Sequence, residues 1–270
     1  MPRSLTSIGA AGVLLTAILA GCGQGSDSAD PASDATSDTG GEPSAISGTV
    51  VVLAAASLTE SFTELGAIFE AAHPGSTVSF SFAASSELAT QVEQGAPADV
   101  FASASPATMA LVVGKGDTAA APITIARNSL EIVVPAGNPA DVTGLNDFAR
   151  TSLTIALCAP EVPCGAATDQ AFSAAGVTPA PDTLEADVKA TLSKVTLGEV
   201  DAALVYRTDV LAAGDKVEGI EFPEATEAVN DYPIAVLRDA PNAVAAEAFV
   251  DLVLSAEGSR TLSKAGFDVP

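Results

Sequence analysis

The chain has 270 residues, which bounds it to one or two domains. Apolar residues make up 48% of it, but aromatics only 4% and Trp is absent, so Ala, Val and Leu must fill the core. A formal net charge of −23 with no basic patch excludes nucleic acid and anionic lipid surfaces as electrostatic partners, and it denies any anionic ligand long-range attraction.

Residues 1–21 read as an export leader. Arg3 gives a basic start, and Ile8 to Leu19 is an apolar stretch too short to span a bilayer. It ends Leu19-Ala20-Gly21-Cys22, which resembles the bacterial lipoprotein cleavage box, in which the cysteine is lipidated and becomes the first mature residue. An ordinary signal peptide with a chance cysteine is the alternative. Acyl chains on Cys22 would anchor the protein to the extracytoplasmic face of the cell membrane. Residues 22–47 are rich in Gly, Ser, Asp, Thr and Pro, and their five acids (Asp27, Asp30, Asp34, Asp38, Glu42) face no base. This is the composition of a solvated tether. With Cys22 committed to lipid, Cys158 and Cys164 remain as an even pair in an oxidising compartment, and a disulfide is expected. A ring this small stabilises by only about 2 kcal/mol, so its use is to fix a loop that Pro160 and Pro163 already stiffen. A protein metal site is disfavoured, because His73 is the only histidine.

The body alternates strands and helices. Val50 to Leu53 reads as an apolar strand. Ser57-Leu58-Thr59-Glu60 fits an S-x-x-E capping box opening a helix to Ala72, with Leu58, Phe62, Leu65 and Phe69 at helical spacing. Thr77 to Phe82 alternates as a half-buried strand. A helix follows from Ser85 to Gly95, then a short strand over Ala98 to Phe101, and another helix starts at Pro106. Strands are expected over Ile123 to Ile125, Leu130 to Val134, Leu153 to Leu157, Ala202 to Tyr206 and Ile234 to Leu237. Helices are expected over Asp169 to Ala175, Leu184 to Leu197, Phe249 to Ser255 and Ser259 to Ala265. Such alternation argues an α/β chain with mainly parallel sheets, in which ligands bind at the C-terminal ends of strands.

Four such ends stand out: Ser57, Ala83 to Ser86, Val162 to Gly165, and Tyr206. Each alone is ordinary cap or turn chemistry. Together they offer hydroxyls and backbone N–H groups with almost no base. A cage of neutral donors suits a fully ionised oxyanion such as sulfate, molybdate or tungstate. It suits phosphate less, because phosphate keeps a proton and wants an acceptor. Asp99, in G-A-P-A-D-V-F beside the expected cleft, would oppose a dianion and is read as tying a turn.

A-A-A-S-L-T (54–59), F-A-A-S-S-E-L-A (82–89), G-A-P-A-D-V-F (95–101), V-P-C-G (162–165), A-D-V-K (186–189), L-V-Y (204–206) and D-Y-P-I-A-V (231–236) occur in this order. Over Gly48 to Pro270 the pattern closely resembles the molybdate-binding proteins of bacterial ABC importers. The resemblance implies a two-lobed, class II periplasmic-binding-protein fold, each lobe a mainly parallel sheet flanked by helices, with two crossover hinge segments. Lobe 1 would comprise residues 48–128 plus 231–270, and lobe 2 residues 129–230. It implies that Ser57 and Ser85 donate hydroxyl and backbone hydrogen bonds to the oxyanion, Cys164 and Val188 backbone N–H groups, and Tyr206 its phenol. Cys164 stands where the family usually has alanine, and the V-P-C-G loop lies one residue closer to Pro160 than the family spacing. The implied function is capture of molybdate, and tungstate with it, by a monomer that delivers it to an ABC permease, with no cofactor and no catalysis.

Sulfate, or another tetrahedral oxyanion, is the rival ligand, distinguished only by size. A ferric site would need more tyrosines than Tyr206 and Tyr232. A secreted hydrolase is the rival of another class, but His73 ends a helix before Pro74, and no G-x-S-x-G or P-loop pattern is present.

Overall fold

The computed structural model describes residues 46–270. The leader, Cys22 with its expected lipidation, and the tether up to residue 45 lie outside the described residues. Chain order is β1 (Gly48–Ala55), a 3-10 turn (Ala56–Leu58), α1 (Thr59–Ala72), β2 (Ser76–Ala83), α2 (Ser85–Glu93), β3 (Val100–Ala102), α3 (Pro106–Lys115) and β4 (Ile123–Asn128). Then come β5 (Leu130–Pro135), β6 (Ile155–Cys158), α4 (Pro163–Ala175), β7 (Thr183–Glu185), α5 (Val188–Thr196), β8 (Ala202–Tyr206), α6 (Arg207–Ala213) and β9 (Val217–Ile220). The chain closes with β10 (Asn230–Val236), α7 (Ala243–Leu254) and α8 (Ala256–Lys264).

Two sheets result, one ordered β2-β1-β3-β10-β4 and the other β7-β6-β8-β5-β9. In the first, β1 pairs parallel with β2 and β3, while β10 is antiparallel to both β3 and β4. In the second, β6 pairs parallel with β7 and β8, and β5 is antiparallel to β8 and β9. Each sheet is therefore mixed, with four strands running one way and a single reversed strand inserted. The reversed strand of each sheet joins a passage between them: Ser129 links β4 to β5, and the chain returns into β10 at Asn230. Each half is thus a sheet flanked by helices, the two-lobed arrangement of periplasmic binding proteins.

The apolar pattern explains the layers. Inner strands such as β8, buried along all five residues, read as unbroken apolar runs because helices cover both faces. Helix α1 turns Phe62, Leu65 and Phe69 inward, and Phe62 and Phe69 meet Phe249 of α7 edge to face at 5.9 and 5.7 Å. Gly66 lets α1 approach β2, since a Cβ there would lie 2.6 Å from the Phe80 ring. Ile46, ahead of β1, already packs on this core.

The structure corrects several local readings. Ser57 does not cap α1: it lies in the 3-10 turn, α1 starts at Thr59, and the Ser57 hydroxyl bonds Tyr232 instead. The helix expected over Leu184 to Leu197 begins only at Val188, because residues 183–185 pair with 156–158 of β6 and Asp187 then caps α5 by accepting from Ala190 N. Helix α4 starts at Pro163, where proline sits at the first helical position, well before the expected Asp169. Asp99 lies at the N-terminal end of β3, the opposite end from that which gathers ligands, so it is not beside the cleft. Buried, its carboxylate accepts from Val51 N at 2.7 Å and Asn242 N at 2.6 Å, tying β1 to the start of α7.

Asp99→Ala leaves two backbone donors without that acceptor. It is expected to destabilise the fold by about 2–4 kcal/mol in denaturant melts, with oxyanion affinity of the folded fraction unchanged.

Candidate functional site

Between the two sheets lies a small cavity lined by Ser57, Ser85, Cys164, Val188 and Tyr206, with Ala104, Asp187 and other short side chains between them. The five sequence-predicted residues come from five separate elements and both halves of the chain. Among the lining residues there is no lysine or arginine, and one carboxylate, Asp187. Sequence reasoning did not place Asp187 here. Its position just before a helix start was the available signal, and its oxygen is turned back onto the α5 N-terminus at Ala190 N, 2.8 Å away.

Three helices, α2, α4 and α5, open onto this cavity at Ser85, Pro163 and Val188. The first N–H groups of a helix have no intrahelical acceptor, and the helix dipole adds positive potential there. In α2 and α4 the capping positions are Ala84 and Val162, with no side-chain cap hydrogen bond, and the same holds for Ala55 before the 3-10 turn that carries Ser57. Away from the cavity, Ser105 and Ser255 do cap their helices, accepting from Thr108 N and Gly258 N. An apolar residue at a cap leaves the orphan N–H groups of Ser85, Cys164 and Gly165 for something in the cavity.

The hydroxyls are set as donors by what they accept. Ser85 Oγ accepts from Ala104 N at 2.9 Å, and Tyr206 Oη accepts from Asn230 Nδ2 at 2.9 Å. Ser57 Oγ lies 2.8 Å from Tyr232 Oη, which itself receives Asn128 Nδ2 at 3.4 Å. An incoming donor takes up one lone pair of the Ser85 and Tyr206 oxygens, and each keeps its one proton to give. Burial pushes both phenols, Tyr206 and Tyr232, well above the ordinary tyrosine range, so both keep their protons at neutral pH.

The loop before α4 is held from two sides. Cys158, the last residue of β6, is disulfide-bonded to Cys164 in the first turn of α4. A Cβ at Gly165 would run into the Ala159 carbonyl, so only glycine lets α4 begin this close to the end of β6. The Cys164 side chain is thereby committed, and only its backbone is left for the cavity.

Beside the cavity, Lys189 of α5 reaches across to Glu60 of α1 at 2.8 Å and to Asp209 of α6 at 2.9 Å. Asp209 is fully buried. Burial pushes its carboxyl up to about 6, and the Lys189 ammonium only partly offsets this. Lys189 is itself opposed by burial, but Asp209 and Glu60 outweigh that and raise it. This pair was not foreseen from sequence, because i to i+20 charges carry no periodic signature.

With this geometry in hand, the comparisons are specific. Residues 50–268 match the family model described as bacterial extracellular solute-binding protein, and the chain belongs to that family. The "Molybdate-binding protein ModA" of Mycobacterium tuberculosis H37Rv is 42% identical over 264 residues, 98% of each chain. That of Escherichia coli K12 is 34% identical over 233 residues, 82% of this chain and 90% of its own. Among solved structures, the periplasmic molybdate-binding protein of Azotobacter vinelandii superposes with a TM-score of 0.73 at 19% identity, covering 82% of this chain and all but 1% of that one (99%).

Two measurements follow. A carboxyl whose folded value exceeds its unfolded one binds more protons when folded, so its contribution falls as pH rises from about 4 through about 6. Asp209→Asn should remove roughly 1–3 kcal/mol of that decline, read as a flatter stability–pH profile in urea melts. Reducing Cys158–Cys164 should weaken oxyanion binding while cooperative melting persists; loss of the melting transition would refute a role confined to the loop.

Proposed function

We propose that the protein is an extracytoplasmic solute-binding protein that captures molybdate, and tungstate with it, and delivers it to an ABC permease. Lipid on Cys22 holds it to the membrane, the segment to residue 47 is the tether, and it works as a monomer. Lobe 1 is residues 48–128 with 231–270, lobe 2 is 129–230, and the anion sits where they close.

The observation that carries this reading is a cavity in which donors converge from both halves and the one carboxylate, Asp187, is turned back onto the α5 N-terminus. Ser57, Ser85 and Tyr206 supply hydroxyls, and Cys164 and Val188 supply backbone N–H groups. A dianion placed there would satisfy the helix starts that Ala84 and Val162 leave uncapped. The cavity gives the centre of a water-sized sphere about 20 Å³ to range over. That is a sphere of about 1.7 Å radius, and adding a water radius of about 1.4 Å gives a guest of about 3 Å radius. Such a guest has the size of one central atom wearing a single shell of oxygens. Binding favours the closed arrangement because only then do both lobes contact the anion, and a permease can read that closure.

Sulfate is the second reading, favoured by the same donor set, since its shape and charge are the same and only its bonds are shorter. Titration calorimetry on residues 48–270 with molybdate, tungstate, sulfate and phosphate separates them. Tight binding of the first two with none of sulfate is expected. Tight binding of sulfate would reassign the ligand, and silence with all four would overturn the oxyanion reading. Ser85→Ala and Tyr206→Phe should each weaken molybdate by about 1–3 kcal/mol, roughly tenfold or more, without lowering the melting temperature in proportion. Wild-type affinity in both would remove those residues from the site.

A further inference from the structure

Asn230 stands at the return passage between the sheets, as the first residue of β10. Its amide nitrogen has two hydrogens, and the structure spends one on each side. One goes to the Ala104 carbonyl at 2.6 Å, in the segment between β3 and α3; the other goes to Tyr206 Oη at 2.9 Å, at the end of β8. The Ala104 carbonyl can only accept, so it fixes which end of the Asn230 side chain is nitrogen. Ala104 N in turn donates to Ser85 Oγ at 2.9 Å. A single polar chain therefore runs from Ser85 through Ala104 and Asn230 to Tyr206, and both hydroxyls at its ends receive a hydrogen bond. Both line the cavity.

We infer that Asn230 is a specificity-determining positioning residue: by donating to Tyr206 Oη, it commits the Tyr206 hydroxyl to donate into the cavity, so the site takes an oxyanion without a proton and turns away one that carries a proton. The inference rests on the oxyanion reading above. An unconstrained phenol can give or accept and would serve either kind of ligand. A phenol already occupied by Asn230 presents its proton, and the hydroxyl of a hydrogenphosphate or hydrogenarsenate finds no acceptor there. Discrimination against a protonated anion then falls to Tyr206, since the one lining carboxylate, Asp187, is turned back onto Ala190 N.

The test is a double-mutant cycle on the full chain body, residues 48–270, with Asn230→Ala and Tyr206→Phe singly and together. Molybdate and phosphate are titrated at pH 7, and melting curves verify folding. Asn230→Ala should weaken molybdate about tenfold in the wild-type background and less than twofold once the Tyr206 hydroxyl is gone. Asn230→Asp offers an acceptor where the amide donates, which turns the phenol proton away from the cavity. It should lower the molybdate-to-phosphate affinity ratio at least tenfold. Both ligands are anions, so the ratio cancels most of the added charge. Equal losses in the two backgrounds, or an unchanged ratio in Asn230→Asp, would overturn the inference while leaving the ligand reading intact. A wild-type protein silent to molybdate would sink both.

Discussion

A protein with a net charge of −23 can hold a buried dianion only where hydrogen-bond donors crowd close around it. The surrounding field is hostile, so binding depends on dipoles close enough to outweigh it. Much of the architecture serves that constraint. Each sheet aims its parallel strands at the same seam, and two of the helices that follow, α2 and α4, start there with apolar caps. The disulfide, Gly165 and the polar chain through Asn230 then fix how the donors point.

The seam also carries an energetic opposition. Glu60, Lys189 and Asp209 place three charges within one or three residues of Ser57, Val188 and Tyr206, which line the cavity. Lys189 sits between the two acids, so its ammonium is neutralised locally and adds little to the anion's attraction. It favours contact between α1 and α5 instead, an ion pair that exists only while the halves are together. The half-exposed Glu60 arm is weak, as solvent-screened pairs are, so the contact biases closure without locking it.

How much of this could be read from sequence differs by element. Apolar runs such as residues 202–206 announced their strands, and the serines and the Tyr206 strand end announced the site. All five residues named for it do line one cavity. Short segments that form only by pairing were not readable. Residues 183–185 look helical until β6 offers an edge, and β9 has little apolar pattern of its own. The S-x-x-E signal at Ser57 misled because a buried phenol 175 positions away competes for the same hydroxyl. Asn230 and Lys189 were invisible for the same reason: what each does is defined by partners far along the chain, whereas Asp187 caps its own helix at Ala190 N and had a local signal. Local pattern reveals elements and exposed donors, whereas the groups that orient those donors are set by tertiary contact.

The placement of β10 has a consequence for how such a chain is made. This strand fills the position between β3 and β4, yet it is drawn from residues 230–236, after the whole second sheet. Until it arrives, β3 and β4 have no neighbour to join them, and the aromatic cluster under α1 lacks Phe249. The first-built half therefore cannot complete its core while the chain is still emerging, whereas the second sheet is contiguous and can. A polypeptide bound for the outside of the cell gains from such an order. Its first-started half stays open until the last segment is available, and then closes with that segment as its keystone.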